Sequence, residues 1–394
     1  MTTPTAADRA EGGTWLKWTI LIAAIGVFGG LFFQAFTSRP SAGFLPPGAH
    51  ARSASAAAPF YRSQFIPNTS AQSVHSAAAV ELAGGRLRAF WYGGTREGAA
   101  DVAIYTAVYA PNAGGWSPER VVIARADAQR QLGRYIRKLG NPVVTRDRGG
   151  RLWLFFVSVS VGGWSGSAIN SMVSEDQGET WSPPQRLIAS PFLNVSTLVK
   201  GPPFFFFDGT IGLPVYHELL GKFGELLRLD GDGHVVHKTR LSRGRSSLQP
   251  VIVPWSQTEA VGFMRYAGDP PGRVLMTRTT DGGEHWSPPV KTELPNPNAA
   301  VGGVLLADDR LLLAFNNSQN DRRDLTLAYS TDHGTTWRIV HALEGSGSRQ
   351  EPEQEYSYPW LLRDGAGDVH VLYTWNRTRI KHVHFNPAWL EKRL

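Results

Sequence analysis

The sequence predicts an all-β protein, a six-bladed β-propeller, preceded by one N-terminal transmembrane helix. Three observations predict this fold class. One turn pattern occurs three times. Short apolar runs that suit strands return about every ten residues beyond residue 60. One uncharged apolar segment lies near the N-terminus. Six four-stranded blades fit the roughly 330 residues that follow position 60.

Each copy of the turn pattern reads S/T-x-D-x-G-x-x-W. The copies occupy residues 174–181, 279–286 and 330–337. The Asp side chain can accept backbone N–H bonds and the Gly tolerates a positive φ, so together they favour a tight turn. Because alternating apolar runs flank the copies, each copy predicts a hairpin turn between two strands. The residues expected to accept N–H bonds within their own turns are Asp176, Asp281 and Asp332.

The rest of the chain beyond residue 60 has the character of strands and turns. Apolar runs include residues 87–90, 102–105, 152–157, 311–315 and 369–373. The 42 Gly and 26 Pro residues supply turns, and no segment there has a convincing helical period. Repetition of one strand–turn unit is typical of propellers.

The N-terminal region predicts a tail, an anchor and a linker. Residues 18–36 carry no charge and could cross ~30 Å of hydrocarbon as a helix, with Lys17 and two tryptophans at the first interface. We assign residues 1–13 to a tail, 14–36 to the transmembrane anchor, 37–59 to a linker rich in small residues and 60–394 to the propeller. A cleaved signal peptide is the alternative. We expect a single-pass membrane protein with its propeller on the exported side, in the periplasm.

The composition limits the possible chemistry and partners. The chain has no cysteine, so disulfides and thiolate chemistry are excluded. No phosphate-binding or dinucleotide-binding motif is present, and we expect no cofactor and no metal, because His382 and His384 lack a nearby carboxylate pair in the sequence. The net charge is +7, with many basic residues between positions 120 and 151. An anionic glycan or an anionic membrane surface suits this charge better than nucleic acid; a solvated basic face is the other interpretation.

The three turn patterns resemble the BNR/Asp-box repeats of sialidases (neuraminidases), which are six-bladed propellers. The motif is specific for the architecture and weakly specific for activity. Other segments are similar to a branch of bacterial predicted neuraminidases with BNR-repeat-like domains. These segments are the His-Ser-Ala start at residue 75, the G-G-T-x-E-G loop at 93–98, the G-N-P turn at 140–142, and residues 213–218 and 373–382.

The resemblance implies candidate residues for a retaining sialidase site. Arg322 and Arg265 match two arginines that grip the substrate carboxylate, a task suited to bidentate guanidinium bonds. Tyr356 matches the nucleophile, and Tyr358 would point the same way if the segment is extended. Glu97 falls on the general acid. Arg96 and Asp101 share its loop, and Asn141 belongs to the G-N-P turn; these three are predicted to contact substrate.

Two positions depart from the sialidase pattern. Gln249 stands where the family has the Glu that activates the tyrosine, and a Gln cannot take up its proton. His75 stands at the first arginine and cannot form a bidentate fork. Glu218 could supply the missing carboxylate or bind sugar hydroxyls; a solvated carboxylate at a strand end is the other interpretation. Two further residues, Arg377 and Lys381, share a face if their strand stays regular and could replace the lost arginine.

Two functions follow from this set of residues. The first is a membrane-anchored, exported glycoside hydrolase, similar to an exo-alpha-sialidase, acting on an anionic glycan. The second is a non-catalytic carbohydrate-binding or scaffold propeller. Convergence of Glu97, Arg265, Arg322 and Tyr356 in one axial pocket would favour the enzyme, and their dispersal would favour the binding protein.

Overall fold

The computed structural model describes residues 6–36, 42–46, 58–190, 194–345 and 354–393. The N-terminal unit contains helix α1 (Ala6–Phe36), which covers the predicted anchor. Among the described residues, no helix combines the length and the apolar character needed to span a bilayer. The transmembrane prediction is therefore not confirmed, and membrane anchoring stays a prediction.

The second unit is a propeller of six antiparallel sheets, which confirms the predicted architecture. Two strands precede the first blade: β1 (Phe44–Leu45) and β2 (Tyr61–Phe65). Blade 1 contains β3 (Ser73–Glu81), β4 (Leu87–Gly94), β5 (Ala103–Ala110), β6 (Gly115–Trp116) and β7 (Arg120–Ala124), followed by α2 (Arg125–Gln131). Blade 2 contains β8 (Lys138–Arg146), β9 (Leu152–Val159), β10 (Ser167–Ser174) and β11 (Gln185–Arg186). Blade 3 contains β12 (Leu198–Val199), β13 (Phe204–Phe206), β14 (Ile211–His217), β15 (Phe223–Leu229) and β16 (Val235–Arg240).

The other three blades have the same arrangement. Blade 4 contains β17 (Ser247–Pro254), β18 (Ala260–Tyr266), β19 (Arg273–Thr279) and β20 (Val290–Pro295). Blade 5 contains β21 (Gly302–Leu305), β22 (Leu311–Phe315), β23 (Leu325–Ser330) and β24 (Arg338–Glu344). Blade 6 contains β25 (Tyr356–Arg363), β26 (Val369–Trp375) and β27 (Arg379–Phe385), and α3 (Pro387–Glu391) follows it.

Chain direction gives the propeller two distinct ends. Neighbouring strands within each blade are antiparallel, so the connections between second and third strands lie at one end, together with the crossings from blade to blade. We call this the upper end. The connections between first and second strands, and between third and fourth strands, lie at the lower end. The first strands line the axis, and β25 packs against β3 to close the ring.

The ring is also closed by the N-terminal strand of the propeller. Strand β2 pairs antiparallel with β27, with Tyr61 opposite Phe385, and so becomes the outer strand of blade 6. Residues that are distant in sequence therefore complete one sheet, and closure leaves fewer strand edges exposed.

The three Asp boxes form lower-end turns as predicted. In the third box, Asp332 accepts the backbone N–H groups of Thr335 and Thr336 at 3.0 and 2.9 Å. The Trp337 indole donates to the carbonyl of Gly334 at 3.1 Å, and Gly334 has φ 91°. Asp176 and Asp281 make the corresponding bonds to the N–H groups of Thr180 and His285.

The predicted linker, residues 37–59, is only partly separate from the propeller. Strand β1 pairs with β13, and the Phe44 ring is fully buried with Phe206, Leu226 and Ile252. The Phe44 N–H donates to the carbonyl of Gln257 at 2.7 Å. The propeller unit therefore begins at Ala42 rather than at residue 60, because one aromatic side chain docks between blades 3 and 4.

Candidate active site

One pocket collects side chains from all six blades. Its cavity volume is about 240 Å³. The lining residues are His75, Tyr92 and Glu97 of blade 1, Asn141 and Trp164 of blade 2, Tyr216 and Glu218 of blade 3, Gln249 and Arg265 of blade 4, Arg322 of blade 5, and Tyr358 and Arg377 of blade 6. Because only the axis can be reached from every blade, this pocket lies on the axis, at the upper end.

Every blade contributes one lining residue at or beside the connection of its second and third strands. These residues are Glu97, Trp164, Glu218, Arg265, Arg322 and Arg377. These lining residues are therefore carried by loops or, for Arg265, by the end of strand β18, and the sheets hold them in place.

Every blade also places one left-handed residue at the upper end of its first strand. These residues are Ser76, Asn141, Ser196, Gln249, Asn298 and Tyr358, with φ between 44° and 60°. In four of the six blades the pairing register shifts at this point. A left-handed non-glycine residue costs roughly 1–2 kcal/mol, and such strain is concentrated at functional sites. The sixfold recurrence explains how three of these side chains, Asn141, Gln249 and Tyr358, come to line the pocket.

Two arginines of the pocket share one asparagine. The Arg265 Nε atom donates to Asn298 Oδ1 at 2.6 Å, and Arg322 Nη2 donates to the Asn298 carbonyl at 2.7 Å. Arg265 also donates to Gln249 Oε1 at 3.2 Å. Burial, and next the charge of Arg265, lower the pKa of Arg322. Arg265 has only neutral oxygens as partners among the described residues, so its charge is available to a ligand.

Glu355 holds two of the arginines and was not predicted as a site residue. Its carboxylate accepts from Arg322 Nη1 at 3.2 Å and from Arg377 Nε at 2.7 Å. Burial alone would raise the pKa of Glu355, but the hydrogen bonds and charges of the two arginines outweigh it and lower the pKa to about 2. Glu355 is therefore an anionic clamp. It directly precedes the predicted Tyr356, and this adjacency is the sequence signal that could have found it.

The third arginine of the pocket, Arg377, connects this clamp to the predicted acid. Arg377 Nη1 donates to Glu97 Oε2 at 3.0 Å, and the Trp164 indole donates to Glu97 Oε1 at 3.2 Å. Both oxygens of Glu97 thus accept a hydrogen bond. These two hydrogen bonds hold the Glu97 carboxylate in one orientation.

Glu218 is in a different environment from Glu97. Its carboxylate accepts no hydrogen bond from the described residues, and burial raises its pKa despite the nearby charges of Arg265 and two lysines. One of these lysines, Lys138, lies over the Trp164 ring with Nζ 3.6 Å from the centroid. A carboxyl group with a raised pKa can carry a proton that it later donates.

Tyr358 is part of a hydrogen-bonded cluster of tyrosine and amide side chains. Gln249 Nε2 donates to the hydroxyl oxygens of Tyr358 and Tyr216 at 3.1 and 3.3 Å, and Asn141 donates to the Tyr216 hydroxyl at 3.2 Å. Burial raises the pKa of Tyr216 well above its ordinary value. The two tyrosines and the amides of Asn141 and Gln249 therefore form one hydrogen-bonded cluster in the pocket. Among the described residues, no carboxylate contacts the Tyr358 hydroxyl.

The sequence profile of the BNR repeat-like domain family matches residues 85–371. The chain belongs to the BNR repeat-like domain family. No curated protein matches the sequence. The sequence-based resemblance to sialidase propellers is confirmed by this match together with the structural neighbours described next.

Several solved structures share the propeller with this BNR repeat-like chain. A Hadza microbial sialidase has a TM-score of 0.66 and 19% identity over 82% of this chain and 67% of that chain. The NanB sialidase of Streptococcus pneumoniae has a TM-score of 0.66 and 12% identity, over 82% and 70% of the two chains. A protein of unknown function from Dyadobacter fermentans has a TM-score of 0.67 and 14% identity, over 83% and 99%. At these identities the likeness shows the fold alone.

The BNR repeat-like pocket contains most of the predicted site residues. Those placed in it are His75, Glu97, Asn141, Glu218, Gln249, Arg265, Arg322, Tyr358 and Arg377. Tyr92, Trp164 and Tyr216 were not predicted to line it. Tyr92 pairs opposite His75 across strands β3 and β4, a neighbour that strand pairing alone could have indicated.

Tyr356 is placed outside the pocket, contrary to the prediction. It is buried between blades 5 and 6 with Leu325, Leu327 and Tyr373. The expectation that Tyr356 and Tyr358 point the same way is wrong, because Tyr358 has φ 56° and the pairing register shifts there. Tyr358, and not Tyr356, is therefore the tyrosine that a bound ligand can meet.

Three other predicted contacts lie elsewhere. Lys381 forms an ion pair with Glu344 on the side of blade 6. It does not share a face with Arg377, because strand β26 ends at Trp375 and Arg377 is in a turn with φ 55°. Asp101 accepts the N–H and hydroxyl of Thr95 at 2.9 and 2.5 Å, and Arg96 is exposed on the same loop, outside the pocket lining.

His75 lines the pocket but does not replace a cationic arginine. Burial, and next the charge of Arg377, lower the pKa of His75 to about 3. Its ring packs 4.3 Å from that of Tyr358, centroid to centroid. The histidine is therefore neutral near pH 7, and the idea that its protonation assists anion binding is not supported. Arg377 occupies the pocket as its third guanidinium instead.

A histidine cluster lies away from the pocket, between blades 1 and 6. The sequence predicted no carboxylate pair near His382 and His384. In the structure one carboxylate, that of Asp364, has its ligand atom within 4.8 Å of those of His370 and His384. The Trp116 indole, which can only donate, bonds to His382 Nδ1 at 3.2 Å. Neutral His382 must then donate from Nε2 to His370 Nδ1 at 2.9 Å, which leaves His370 Nε2–H facing Asp364 at 3.2 Å.

This chain of hydrogen bonds uses both ring nitrogens of His370. The His370 Nδ1 lone pair accepts from His382, and Nε2 carries the proton. A metal bound to His370 Nε2 would require the tautomer of His370 that carries its proton on Nδ1. His370 would then donate to His382 Nε2, and His382 would carry its own proton on Nδ1. That proton would face the N–H of Trp116, so two donors would meet. The donor set is thus arranged as a buried hydrogen-bond relay.

Proposed function

We propose that this chain is a sialidase-like glycoside hydrolase that cleaves a terminal anionic sugar from a glycan. The observation that carries the proposal is the convergence of Arg265, Arg322 and Arg377, from three blades, with Tyr358 in one axial pocket. Planar guanidinium groups match the geometry of a carboxylate. The shared acceptors Asn298 and Glu355 hold these groups in place before a ligand arrives.

The two carboxyl groups of the pocket suit different tasks. Glu97 is held by Arg377 and Trp164, so its charge can stabilise positive charge that develops on the sugar ring. Glu218 has a raised pKa, so it is the better donor of a proton to the departing oxygen. The proposal therefore assigns proton donation to Glu218, although the family resemblance suggested Glu97.

Tyr358 would attack the anomeric carbon, as the nucleophilic tyrosine of sialidases does. The phenol proton would pass to water as the glycosidic bond breaks, and Glu218 would give its proton to the departing oxygen. Gln249 donates a hydrogen bond to the hydroxyl oxygen of Tyr358, but the amide cannot accept the phenol proton. The lack of a proton acceptor at position 249 favours the second candidate function, a propeller that binds an anionic glycan without cleaving it.

Turnover separates the two functions. The purified full chain is incubated with sialosides and with uronate-containing glycans, and released sugar is measured. We expect release by the wild type, loss of at least about 10²-fold in kcat for Tyr358→Phe and for Glu218→Gln, and little change for the matched control Tyr356→Phe. Ligand binding without release by the wild type would establish the binding protein instead.

Export and anchoring also belong to the proposal. The uncharged segment at residues 18–36 supports an anchor that would hold the propeller in the periplasm. The protein should stay in the membrane fraction after a carbonate wash. Recovery of a soluble form whose N-terminus lies near residue 40 would show a cleaved signal peptide instead.

A further inference from the structure

The upper end of the propeller exposes large apolar side chains at loop tips beside the pocket. Leu220 and Val161 are 86% and 78% exposed, more than any other large apolar side chain among the described residues. Leu219 and Tyr135 are 51% and 62% exposed. Val161 shares a loop with Trp164, and Leu219 directly follows Glu218, so these tips are next to two lining residues of the pocket.

Basic side chains surround the same tips. The connections at the upper end of blades 1 to 4 carry Arg96, Arg134, Arg137, Lys138, Lys222, Arg243 and Arg245. We call this set the basic rim. The acidic residues on the same connections are fewer: Asp127 is paired with Arg130, Glu97 is paired with Arg377, Asp101 is bonded to Thr95, and Glu218 and Asp269 are the other two. The rim therefore has an excess of positive charge.

The basic stretch noticed in the sequence at residues 120–151 is divided by the fold. Arg134, Arg137 and Lys138 join the rim at the upper end. Residues 146–151 lie at the end of β8 and in the turn before β9, at the lower end. The positive charge beside the pocket is thus a property of the assembled face, to which several separate loops contribute.

We propose that this face docks on an anionic lipid bilayer, with Val161, Leu219 and Leu220 entering the interface and the basic rim lying against the headgroups. The exposed aliphatic side chains would stay in contact with water beside a hydrated anionic polymer, so they would not strengthen its binding. In lipid they leave water, and this transfer is favourable. Each basic residue near an anionic leaflet strengthens partitioning by about fivefold. Docking presents the pocket to glycans carried by lipids. It does not depend on the proposed hydrolysis.

A fluorescent label at one tip tests the docking. The chain has no cysteine, so Leu220→Cys in the full chain gives a single site for the environment-sensitive dye NBD. Vesicles of phosphatidylcholine with phosphatidylglycerol should shift the NBD emission to the blue and brighten it, whereas vesicles of phosphatidylcholine alone should do so far less. The matched control is the same label at Ala366→Cys, an exposed position in the lower-end turn between β25 and β26. Its emission should stay as in water.

The charge requirement is tested with paired arginine variants. Arg134→Ser with Arg137→Ser, in the labelled chain, should raise the lipid concentration for half-maximal shift on the order of 30-fold. The control, Arg146→Ser with Arg148→Ser, removes the same charge at the lower end and should leave this concentration unchanged. Helix α1 is present in every variant, so any membrane affinity of its own is constant.

Several outcomes would overturn the proposal. Water-like emission at Leu220→Cys on vesicles that carry the protein would show that this tip does not enter lipid. Equal shifts at Leu220→Cys and Ala366→Cys would show that no particular face docks. A response to soluble polyanionic glycans but not to vesicles would assign the rim to an extended glycan. Hydrolysis of soluble glycans is measured separately, so either proposal can fail alone.

Discussion

Gln249 is the residue on which the chemistry of the pocket depends most. Its amide contacts Arg265, Tyr216 and Tyr358 at once. It is fully buried and has φ 54°, so surrounding structure fixes its position. A carboxylate at the same place would keep the contact with Arg265 and would gain the ability to accept the Tyr358 proton.

Gln249→Glu is therefore expected to increase turnover, since a positioned general base contributes about 10²–10⁴-fold. The new carboxylate would lie next to the Arg265 guanidinium, which offsets the cost of burying its charge. Steady-state kcat on the best glycan of the panel measures the effect. Gln249→Leu, which can neither donate nor accept, is the control and should lower kcat. A folded Gln249→Glu variant with unchanged kcat would show that Tyr358 is not the nucleophile.

Anion binding should not depend on the protonation of His75 between pH 5 and 8. Its pKa is lowered to about 3 by burial and by the neighbouring arginines, so it is neutral over that whole range. The dissociation constant of a carboxylated sugar should change with pH in the same way for the wild type and for His75→Gln. Binding that weakens between pH 6 and 7 in the wild type only would show that His75 is charged.

At the scale of single elements, each Asp box stabilises its own turn and is remote from the pocket. The Asp side chain satisfies N–H groups that the turn leaves unpaired, as at Asp332, and the boxes occupy connections of third and fourth strands at the lower end. Their role is thus in stability rather than in binding.

Asp332→Ala is expected to lower the free energy of unfolding by about 1–3 kcal/mol, because two N–H groups and the Ser330 hydroxyl lose their acceptor. Ligand affinity at the pocket should be unchanged. Chemical denaturation and a binding titration measure the two quantities. Arg338→Ala, an exposed change on the next strand, is the control for stability.

Strand β1 contributes to stability through a single buried ring. Phe44 is fully buried, and its ring packs 5.4 Å from that of Phe206, centroid to centroid. Phe44→Ala should destabilise the propeller by about 3–5 kcal/mol. The matched control is Phe207→Ala, which truncates a 43% exposed ring nearby and should cost much less. Equal losses in the two variants would contradict a docked β1.

At the scale of the whole molecule, blades 1 and 6 are joined by the histidine relay as well as by closure of the ring. Trp116 belongs to blade 1, and His370 and His382 belong to blade 6. Burial lowers the pKa of both histidines, that of His382 well below its ordinary value. The hydrogen bonds of the relay form only while both rings are neutral, because each ring accepts at one nitrogen and donates from the other.

Acid should therefore weaken the closed propeller. Below pH 6.5 an unfolded His382 binds a proton that the folded one does not, so stability falls as pH falls, by about 1.4 kcal/mol per pH unit for each such histidine. His382→Gln should reduce this slope between pH 6.5 and 4.5 by about that amount, although it also lowers stability at pH 8. Denaturation at several pH values measures the slope, and an unchanged slope would show that His382 is charged in the fold.

Much of the fold could be predicted because its signals are local. The Asp box makes its hydrogen bonds within eight residues, so the pattern at 330–337 is enough to specify a turn. Glu97, Arg265 and Arg322 were placed in the pocket through motifs that are short and continuous. Local patterns failed where the backbone departs from regular alternation, as at Tyr358, whose positive φ reverses the direction expected for Tyr356 and Tyr358.

The sequence alone determined the strand–turn repeat and the propeller, because hydrophobic alternation and turn chemistry act between near neighbours. The resemblance to sialidases indicated most of the residues that meet on the propeller axis. Only the tertiary structure decided which tyrosine faces the pocket, that Glu355 clamps two arginines, that His75 is neutral and that Phe44 belongs to the propeller. Each of these depends on burial and charge supplied by residues distant in the chain. Such effects exist only once six blades close around one axis.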